Sequence, residues 1–188
     1  EKSNGNGSLM RIAPIACYFV NSSDNELIKK AMEVSSLTHA HIRSQLACAY
    51  LCILLKYLLK GKNLVSSSNY TNDILKPFIS KNKELSSFSR ILDTKNLIKN
   101  SENKIESSGY VIHTLEASIW CAANTNTFKS SVLKAVNLGD DTDTTACVTG
   151  MITGSIYGNS KIPSEWKEVL AKKNIVSEVI NSFVRKIK

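Results

Sequence analysis

Apolar residues recur at every third or fourth position along most of the chain, and this spacing predicts helices. The longest such segment covers residues 42–60 and is apolar on nearly every face from 46 to 55, so we expect it to be a central, buried helix. No segment alternates between apolar and polar positions as a half-buried strand does. The sequence therefore predicts an all-α fold, with a single domain over residues 1–188.

Further helices are predicted on both sides of this central segment. Their expected ranges are 8–19, divided at Pro14, then 23–37, 111–123, 127–138 and 146–158, with one helix beginning at Pro163 and a last one over 175–187. Residues 62–109 are rich in Ser, Asn and Lys and predict only two modest helices, over short apolar patches at 74–79 and 85–92. A polar loop is expected from about residue 94 to 109.

The composition indicates a soluble protein with a basic surface. The formal net charge is +8, carried mainly by scattered lysines, which are more typical of a solvated surface than of a nucleic-acid footprint. A basic surface would still attract a phosphate-bearing substrate. The five cysteines lie in apolar stretches without a Cys-x-x-Cys pair, which favours reduced core thiols in a cytoplasmic protein. The apolar runs are expected to be too short to span a membrane, and no signal peptide is apparent.

An acidic turn precedes the small, apolar helix predicted over 146–158. Three carboxylates and three hydroxyls fall within residues 138–145, where close like charges repel one another and burial adds to the cost. A hard cation would relieve both effects, and Asp141, Asp143 and Thr144 offer the oxygen ligands that Mg²⁺, Mn²⁺ or Ca²⁺ prefers. The alternative is that Asp143 caps the helix and the helix dipole favours the other acids.

Three other polar sites allow both a structural and a functional interpretation. The Gly5-Asn6-Gly7 stretch either presents backbone amides and the Asn6 side chain to a ligand or forms an ordinary loop, in which Asn6 would have little packing to lose. His39 and His41 lie between two apolar helices and are candidates for caps or core residues. Tyr110 stands where a polar loop meets a helix, so its ring could stack on a ligand with its hydroxyl in water, or simply pack.

Taken together, these stretches resemble one family. The matching segments, in order, are Asn4-Gly5-Asn6-Gly7-Ser8-Leu9-Met10-Arg11-Ile12-Ala13-Pro14, Ser36-Leu37-Thr38-His39, Gly109-Tyr110-Val111-Ile112-His113-Thr114-Leu115-Glu116-Ala117, Leu138-Gly139-Asp140-Asp141-Thr142-Asp143-Thr144, and Tyr157-Gly158 with Ile162-Pro163-x-x-Trp166. They resemble the ADP-ribosylglycohydrolase family, most closely its bacterial members similar to dinitrogenase-reductase-activating glycohydrolase. The resemblance extends over nearly the whole chain and is weakest over residues 62–106.

The resemblance implies a compact, orthogonally packed all-α fold with two divalent cations, Mg²⁺ or Mn²⁺. It also implies hydrolysis of the bond that joins ADP-ribose to a protein side chain or a related small molecule. By motif, Asp141, Asp143 and Thr144 correspond to metal ligands, and the two aspartates to catalytic residues. The residues that correspond to substrate contacts are Ser3, Asn4, Gly5, Asn6, Gly7, His39 and Tyr110.

The chain departs from the family pattern at its beginning. Family members have an earlier segment with a Gly-Asp-x-x-Gly stretch and a Thr-Asp-Asp motif, and residues 1–137 contain no second Asp-Asp pair. Three ligands cannot hold two octahedral ions. We therefore expect an N-terminally incomplete domain that is inactive alone and needs the missing segment, which could be a separate chain. The alternative is a catalytically incomplete ADP-ribose-binding or structural module of the same fold.

Overall fold

The computed structural model of the protein describes residues 4–187, and within this range helices and loops account for the chain without a β-strand. The all-α prediction is confirmed. The helices are α1 Ala13–Tyr18, α2 Asp24–Ser36, α3 Ile42–Leu59, α4 Leu64–Lys81, α5 Ser89–Leu92, α6 Thr94–Leu97, α7 Val111–Ala123, α8 Phe128–Asn137, α9 Thr142–Tyr157, α10 Ser164–Glu168 and α11 Lys173–Ile187. Short 3₁₀ turns form at Leu9–Arg11, Glu102–Lys104 and Asn159–Lys161.

The α3 helix is the centre of the fold, as its sequence predicts. It packs against α1, α2, α4, α7 and α9, and every residue from Leu46 to Lys56 is buried. The helix has 18 residues and a mean hydropathy of 1.4, so by length and composition alone it could cross a membrane. The expectation that every apolar run is too short to span a membrane is therefore wrong. Because 72% of the helix is buried inside the protein, its apolar surface is accounted for by the core.

Residues 62–109 contain more helix than their sequence predicts. The α4 helix begins at Leu64, ten residues before the expected patch, and its first half buries Ser67, Ser68 and Thr71 rather than apolar side chains. The hydroxyl of Thr71 donates to the backbone carbonyl of Ser67, so part of this polar burial is satisfied within the helix. Buried small hydroxyl residues interrupt the apolar period on which the sequence prediction depends.

The end of α4 places a carboxylate toward the start of α3. The backbone N–H of Glu84 donates to Ile79 O and that of Lys83 to Ser80 O, both at 3.0 Å, which is the Schellman pattern. Lys83 has a φ of 60° in the left-handed position where glycine is usual. This turn directs the buried Glu84 side chain onto Arg43 in the first turn of α3.

Glu116 is a buried acid on α7, only 3% exposed, with Arg90 as its charged neighbour at 3.3 Å. Desolvation raises the pKa of Glu116 to about 7, although the positive charge of Arg90 works in the opposite direction. Because the folded pKa lies above the unfolded value, the folded protein binds more protons between pH 4.5 and 7. The free energy of unfolding therefore falls as the pH rises through this range.

We predict that Glu116→Gln flattens this part of the pH dependence. The parent should lose on the order of 3 kcal/mol of unfolding free energy through this group between pH 4.5 and 8, a loss that the neutral amide avoids. Denaturant unfolding of both proteins at the two pH values measures the difference. Glu178→Gln, an exposed change on α11, serves as the control and should parallel the parent. Parallel curves for Glu116→Gln and the parent would show that Glu116 does not titrate in this window.

Candidate active site

Two loops that are distant in sequence pair at the centre of the candidate site. The backbone N–H of Asn6 donates to Gly109 O at 3.1 Å, and that of Val111 donates to Asn4 O at 2.9 Å. Gly5 and Tyr110 thus form a single antiparallel bridge. The pairing places the glycine-containing loop of residues 4–7 directly beside the start of α7.

The Asn6 side chain is buried, with 8% of its surface exposed. Its amide donates to Thr114 Oγ1 on α7 and to Asp141 Oδ2 in the acidic turn, each at 2.7 Å. The expectation that Asn6 has little packing to lose is therefore wrong, because the loop lies under α7 and is not a surface turn. Asn6 joins the glycine loop to the predicted metal ligand Asp141.

The acidic turn reverses the chain between α8 and α9 through two left-handed residues, Gly139 with φ 85° and Asp140 with φ 60°. The backbone N–H of Asp141 donates to Ser107 O at 3.1 Å, and the Ser107 hydroxyl donates to Gly139 O at 3.0 Å. Asp141, not Asp143, occupies the N-cap position of α9, so the interpretation of Asp143 as the cap is wrong. The turn is fixed by the loop of residues 107–109 as well as by its own helices.

The Asp141 carboxylate is held in its ionised form. Partial burial opposes ionisation, but hydrogen bonds from Asn6 and Thr144 outweigh it and lower the pKa of Asp141. Gly109 also matters here, because a Cβ at this position would lie 3.3 Å from Asp141 Oδ2. The glycine lets the carboxylate approach the backbone closely enough to reach Asn6.

The His39 ring packs against Gly5 and Gly7 of the glycine loop. Its Nδ1 lies 2.8 Å from Thr38 Oγ1, which accepts a hydrogen bond from Arg11 at 2.7 Å. A Thr38 hydroxyl that accepts from Arg11 can donate its proton to Nδ1, leaving the Nε2 proton toward the loop. His41, in contrast, caps α3 by accepting from the Arg43 backbone N–H at 3.1 Å, so the two histidines have different roles.

Tyr110 is half-buried between two polar side chains. Its hydroxyl accepts a hydrogen bond from Arg43 Nη1 at 3.0 Å, and the edge contact with the His113 ring has a centroid separation of 4.8 Å. The hydroxyl, which the sequence interpretation left to water, therefore has a partner within the protein. One edge of the His113 ring is fixed in turn by Ser108 at 2.8 Å and by Glu106 at 3.3 Å.

The structure thus brings six sequence-predicted residues together, Asn4, Gly5, Asn6, Gly7, His39 and Tyr110, and joins them to Asp141. Asp143 and Thr144 follow in the first turn of α9, where Asp143 is exposed and Thr144 is buried. Ser3 lies outside the described residues. Within residues 4–187, no group of three or more His, Cys, Asp or Glu side chains is arranged to hold a metal ion.

Several residues of the site were missed by the sequence interpretation. Ser107 and Thr114 lie on either side of Tyr110 in the sequence, but only their hydrogen bonds to the acidic turn and to Asn6 reveal a role. Arg43 and Glu84 were missed entirely. Each lies in a different segment from Tyr110, and no local pattern connects the three.

Comparison with known proteins agrees with this geometry. The profile of the ADP-ribosylglycohydrolase family matches residues 1–188. The chain is 32% identical over 182 residues to the ADP-ribosylarginine hydrolase Tri1 of Serratia proteamaculans, covering 93% of this chain and 45% of that protein. It is 28% identical over 173 residues to the ADP-ribosyl-[dinitrogen reductase] glycohydrolase of Rhodospirillum rubrum, covering 92% and 53%.

A solved structure described as an ADP-ribosylglycohydrolase-related protein complex superimposes with a TM-score of 0.80 at 27% identity. The match covers 100% of this chain and 62% of that one. The chain spans about half the length of the curated relatives that it matches.

We predict that Asn6→Ala destabilises the fold, because it removes two hydrogen bonds from a buried amide, one of them to a charged group. The expected loss of unfolding free energy is about 1–3 kcal/mol, measured by denaturant unfolding. Asn181→Ala, at an exposed position on α11, is the control and should change stability by no more than about 0.5 kcal/mol. Equal stabilities for the two variants would refute the buried role of Asn6.

We also predict that Gly7→Ala moves the His39 ring whereas Gly5→Ala does not. A Cβ at Gly7 would lie 2.9 Å from His39 Cε1, which forces a shift, but one at Gly5 would lie 3.6 Å from Nε2, an ordinary contact. Two-dimensional NMR of the histidine ring protons measures this directly. The His39 resonances should change strongly in the first variant and little in the second, and similar spectra for both would contradict the packing described here.

Proposed function

Because the chain belongs to the ADP-ribosylglycohydrolase family, we propose that it forms part of an enzyme that hydrolytically removes ADP-ribose from a modified protein side chain or a related molecule. The observation that carries the proposal is the hydrogen bond between Asn6 and Asp141, which unites the glycine loop and the acidic turn in one site. The similar Tri1 protein is described as an ADP-ribosylarginine hydrolase, so ADP-ribosylated arginine is the first substrate to assay.

The glycine loop, His39 and Tyr110 form the proposed ADP-ribose contact. Glycines at 5 and 7 make room for the His39 ring beside the loop, and the backbone pairing with Gly5 places Tyr110 next to it. Asn6 contributes indirectly, since its amide is already bound to Asp141 and Thr114. The formal net charge of +8 would favour the approach of a pyrophosphate-bearing ligand.

The donor set at the start of α9 fits a hard cation in type but falls short in number. Asp141 and Asp143 would supply carboxylate oxygens and Thr144 a hydroxyl, the ligand types that Mg²⁺ and Mn²⁺ prefer. Two octahedral ions need further ligands, which we propose come from outside residues 4–187. When bound, such ions would acidify a water molecule and orient the hydroxyl groups of the ribose.

The proposed reaction breaks the bond between ribose C1′ and the modified side chain while a water oxygen bonds to C1′. The water loses one proton, and the departing side chain takes up one proton. Positive charge develops on the ribose in the transition state of such a cleavage. The ionised Asp141, held by Asn6, would present a carboxylate oxygen of fixed direction to the divalent ions without reorienting. The exposed Asp143 carboxylate, on the same turn, would be the second carboxylate ligand.

A second candidate function is ADP-ribose binding without catalysis. It is favoured by the shortage of metal ligands among the described residues. The two functions differ in one measurement, the release of ADP-ribose from ADP-ribosylated arginine in the presence of Mg²⁺. Calorimetric binding of free ADP-ribose, which both functions predict, is measured alongside it. We expect the 188-residue chain to bind but not to release ADP-ribose, and release to appear in a full-length protein, meaning one that also carries the N-terminal ligand segment of the family pattern. Rapid metal-dependent release by the 188 residues would contradict the need for outside ligands.

We predict that Asp143→Asn weakens Mg²⁺ binding in the full-length protein and abolishes most of the hydrolase activity. The loss of an outer-sphere partner typically lowers metal affinity roughly ten- to hundredfold. The loss of a direct ligand should lower the affinity for Mg²⁺ by at least this factor. Titration calorimetry with Mg²⁺ measures the change. Asp140→Asn is the matched control, because it removes an equal charge from the same turn and asparagine tolerates the left-handed φ of 60°. Equal losses in the two variants would indicate a general charge effect instead of ligation.

A further inference from the structure

Arg43 connects three segments of the chain behind Tyr110. Its Nε and Nη2 face the Glu84 carboxylate, with distances of 2.6 Å to Oε2 and 3.4 Å to Oε1, while Nη1 donates to the Tyr110 hydroxyl at 3.0 Å. The side chains of Arg43 and Glu84 are only 17% and 9% exposed. The contact joins the start of α3, the turn after α4 and the start of α7.

The guanidinium is well suited to this arrangement. One edge of its planar fork binds the carboxylate through two N–H groups, and the remaining Nη1 is left to donate elsewhere. A lysine ammonium is a compact charge on a flexible stem and could not hold both partners in a fixed geometry. Glu84 is itself held by the backbone turn that ends α4, so the guanidinium has a rigid support.

Tyr110 is consequently held at three points. Arg43 donates a hydrogen bond to its hydroxyl, and its backbone pairs with Gly5. Its ring forms a T-shaped contact with the His113 ring, at an interplanar angle of 89°. A tyrosine ring usually retains freedom about its two side-chain torsions, and a bond at its far end removes most of it. The direction of the ring relative to the glycine loop therefore depends on Arg43.

We propose that Arg43, supported by Glu84, is the positioning residue that sets the orientation of Tyr110 for ligand binding. The inference rests on the proposed function, because it takes Tyr110 as a contact of ADP-ribose. It extends that function by assigning a role to residues 43 and 84, which no motif of the sequence marks. Arg43 acts through Tyr110 and does not itself contact the ligand.

The first test reads the ring position without any ligand. In the parent protein, nuclear Overhauser effects should connect the ring protons of Tyr110 and His113, whose centroids are 4.8 Å apart. Arg43→Lys keeps a positive charge opposite Glu84 but frees the tyrosine, so these effects should weaken or vanish. Glu84→Gln should weaken them less, because the guanidinium loses its charged support but keeps a hydrogen-bonding partner. Unchanged effects in Arg43→Lys would overturn the proposal.

The second test measures the affinity for free ADP-ribose by calorimetry in the full-length protein. Arg43→Lys should weaken binding roughly three- to tenfold, the range for one lost hydrogen bond. Tyr110→Phe, which removes the same hydrogen bond from the other side, should cause a similar loss, and the double variant should lose no more than either single one. Additive losses would show that Arg43 acts independently of Tyr110 and would overturn the proposal.

Arg90→Lys is the matched control, because it makes the same exchange in the Arg90–Glu116 pair without touching Tyr110. It should leave both the ring contacts and the affinity at parent values, and thermal melts identify any variant that is merely less stable. If Tyr110→Ala weakens ADP-ribose binding but Arg43→Lys does not, the positioning role fails and the proposed function stands. If the parent does not bind ADP-ribose at all, the proposed function fails, and the ring contacts alone decide whether Arg43 orients Tyr110.

Discussion

The hydrogen bond from the Asn6 amide to the Asp141 carboxylate is the interaction on which the site depends. It joins positions 135 residues apart, and it exists only because the loop pairing through Gly109 lowers Asn6 onto α7. A buried amide N–H needs a hydrogen-bond acceptor, and a partly buried carboxylate needs a donor. The hydrogen bond between Asn6 and Asp141 supplies both. Without this bond the acidic turn would keep its helices but lose its connection to the glycine loop.

The rest of the fold supports that connection by placing helix ends around it. The central helix α3 begins beside the site, where His41 caps it and Arg43 leaves its first turn toward Tyr110. From there the helix runs into the core, where its buried residues hold α2, α4, α7 and α9 in place. Polar side chains near helix termini can be placed accurately because the helices that carry them are close-packed and resist displacement. The apolar core therefore fixes the positions of the polar side chains of the site, although the core residues do not belong to the site themselves.

The sequence predicts the parts of this structure that depend on local signals. The bounds of α7 are those expected from its apolar period. Thr127, Gly139 and Gly158 stand at helix ends, where residues of these types are usual. It fails at α4, where buried hydroxyls replace the apolar stripe. It also fails for Asn6, whose glycine neighbours suggest a surface loop, and for Cys147, which is exposed and not a core thiol. Burial in these cases is decided by segments far away in the chain, and no local pattern records it.

The few arginines show how the fold uses side-chain geometry to connect such distant segments. Only four of the 24 basic residues are arginines. Three of them join segments that are separate in the sequence, and two of these three, Arg11 and Arg43, do so at the site. Arg11 holds Thr38 beside His39, Arg43 holds both Glu84 and Tyr110, and Arg90 holds Glu116 and the backbone carbonyl of Lys104. Several donors in a fixed plane allow one side chain to bind two partners at once, which a lysine cannot do with the same precision. Most of the positive charge is therefore carried by scattered lysines, whereas Arg11 and Arg43 hold polar groups of the site in place.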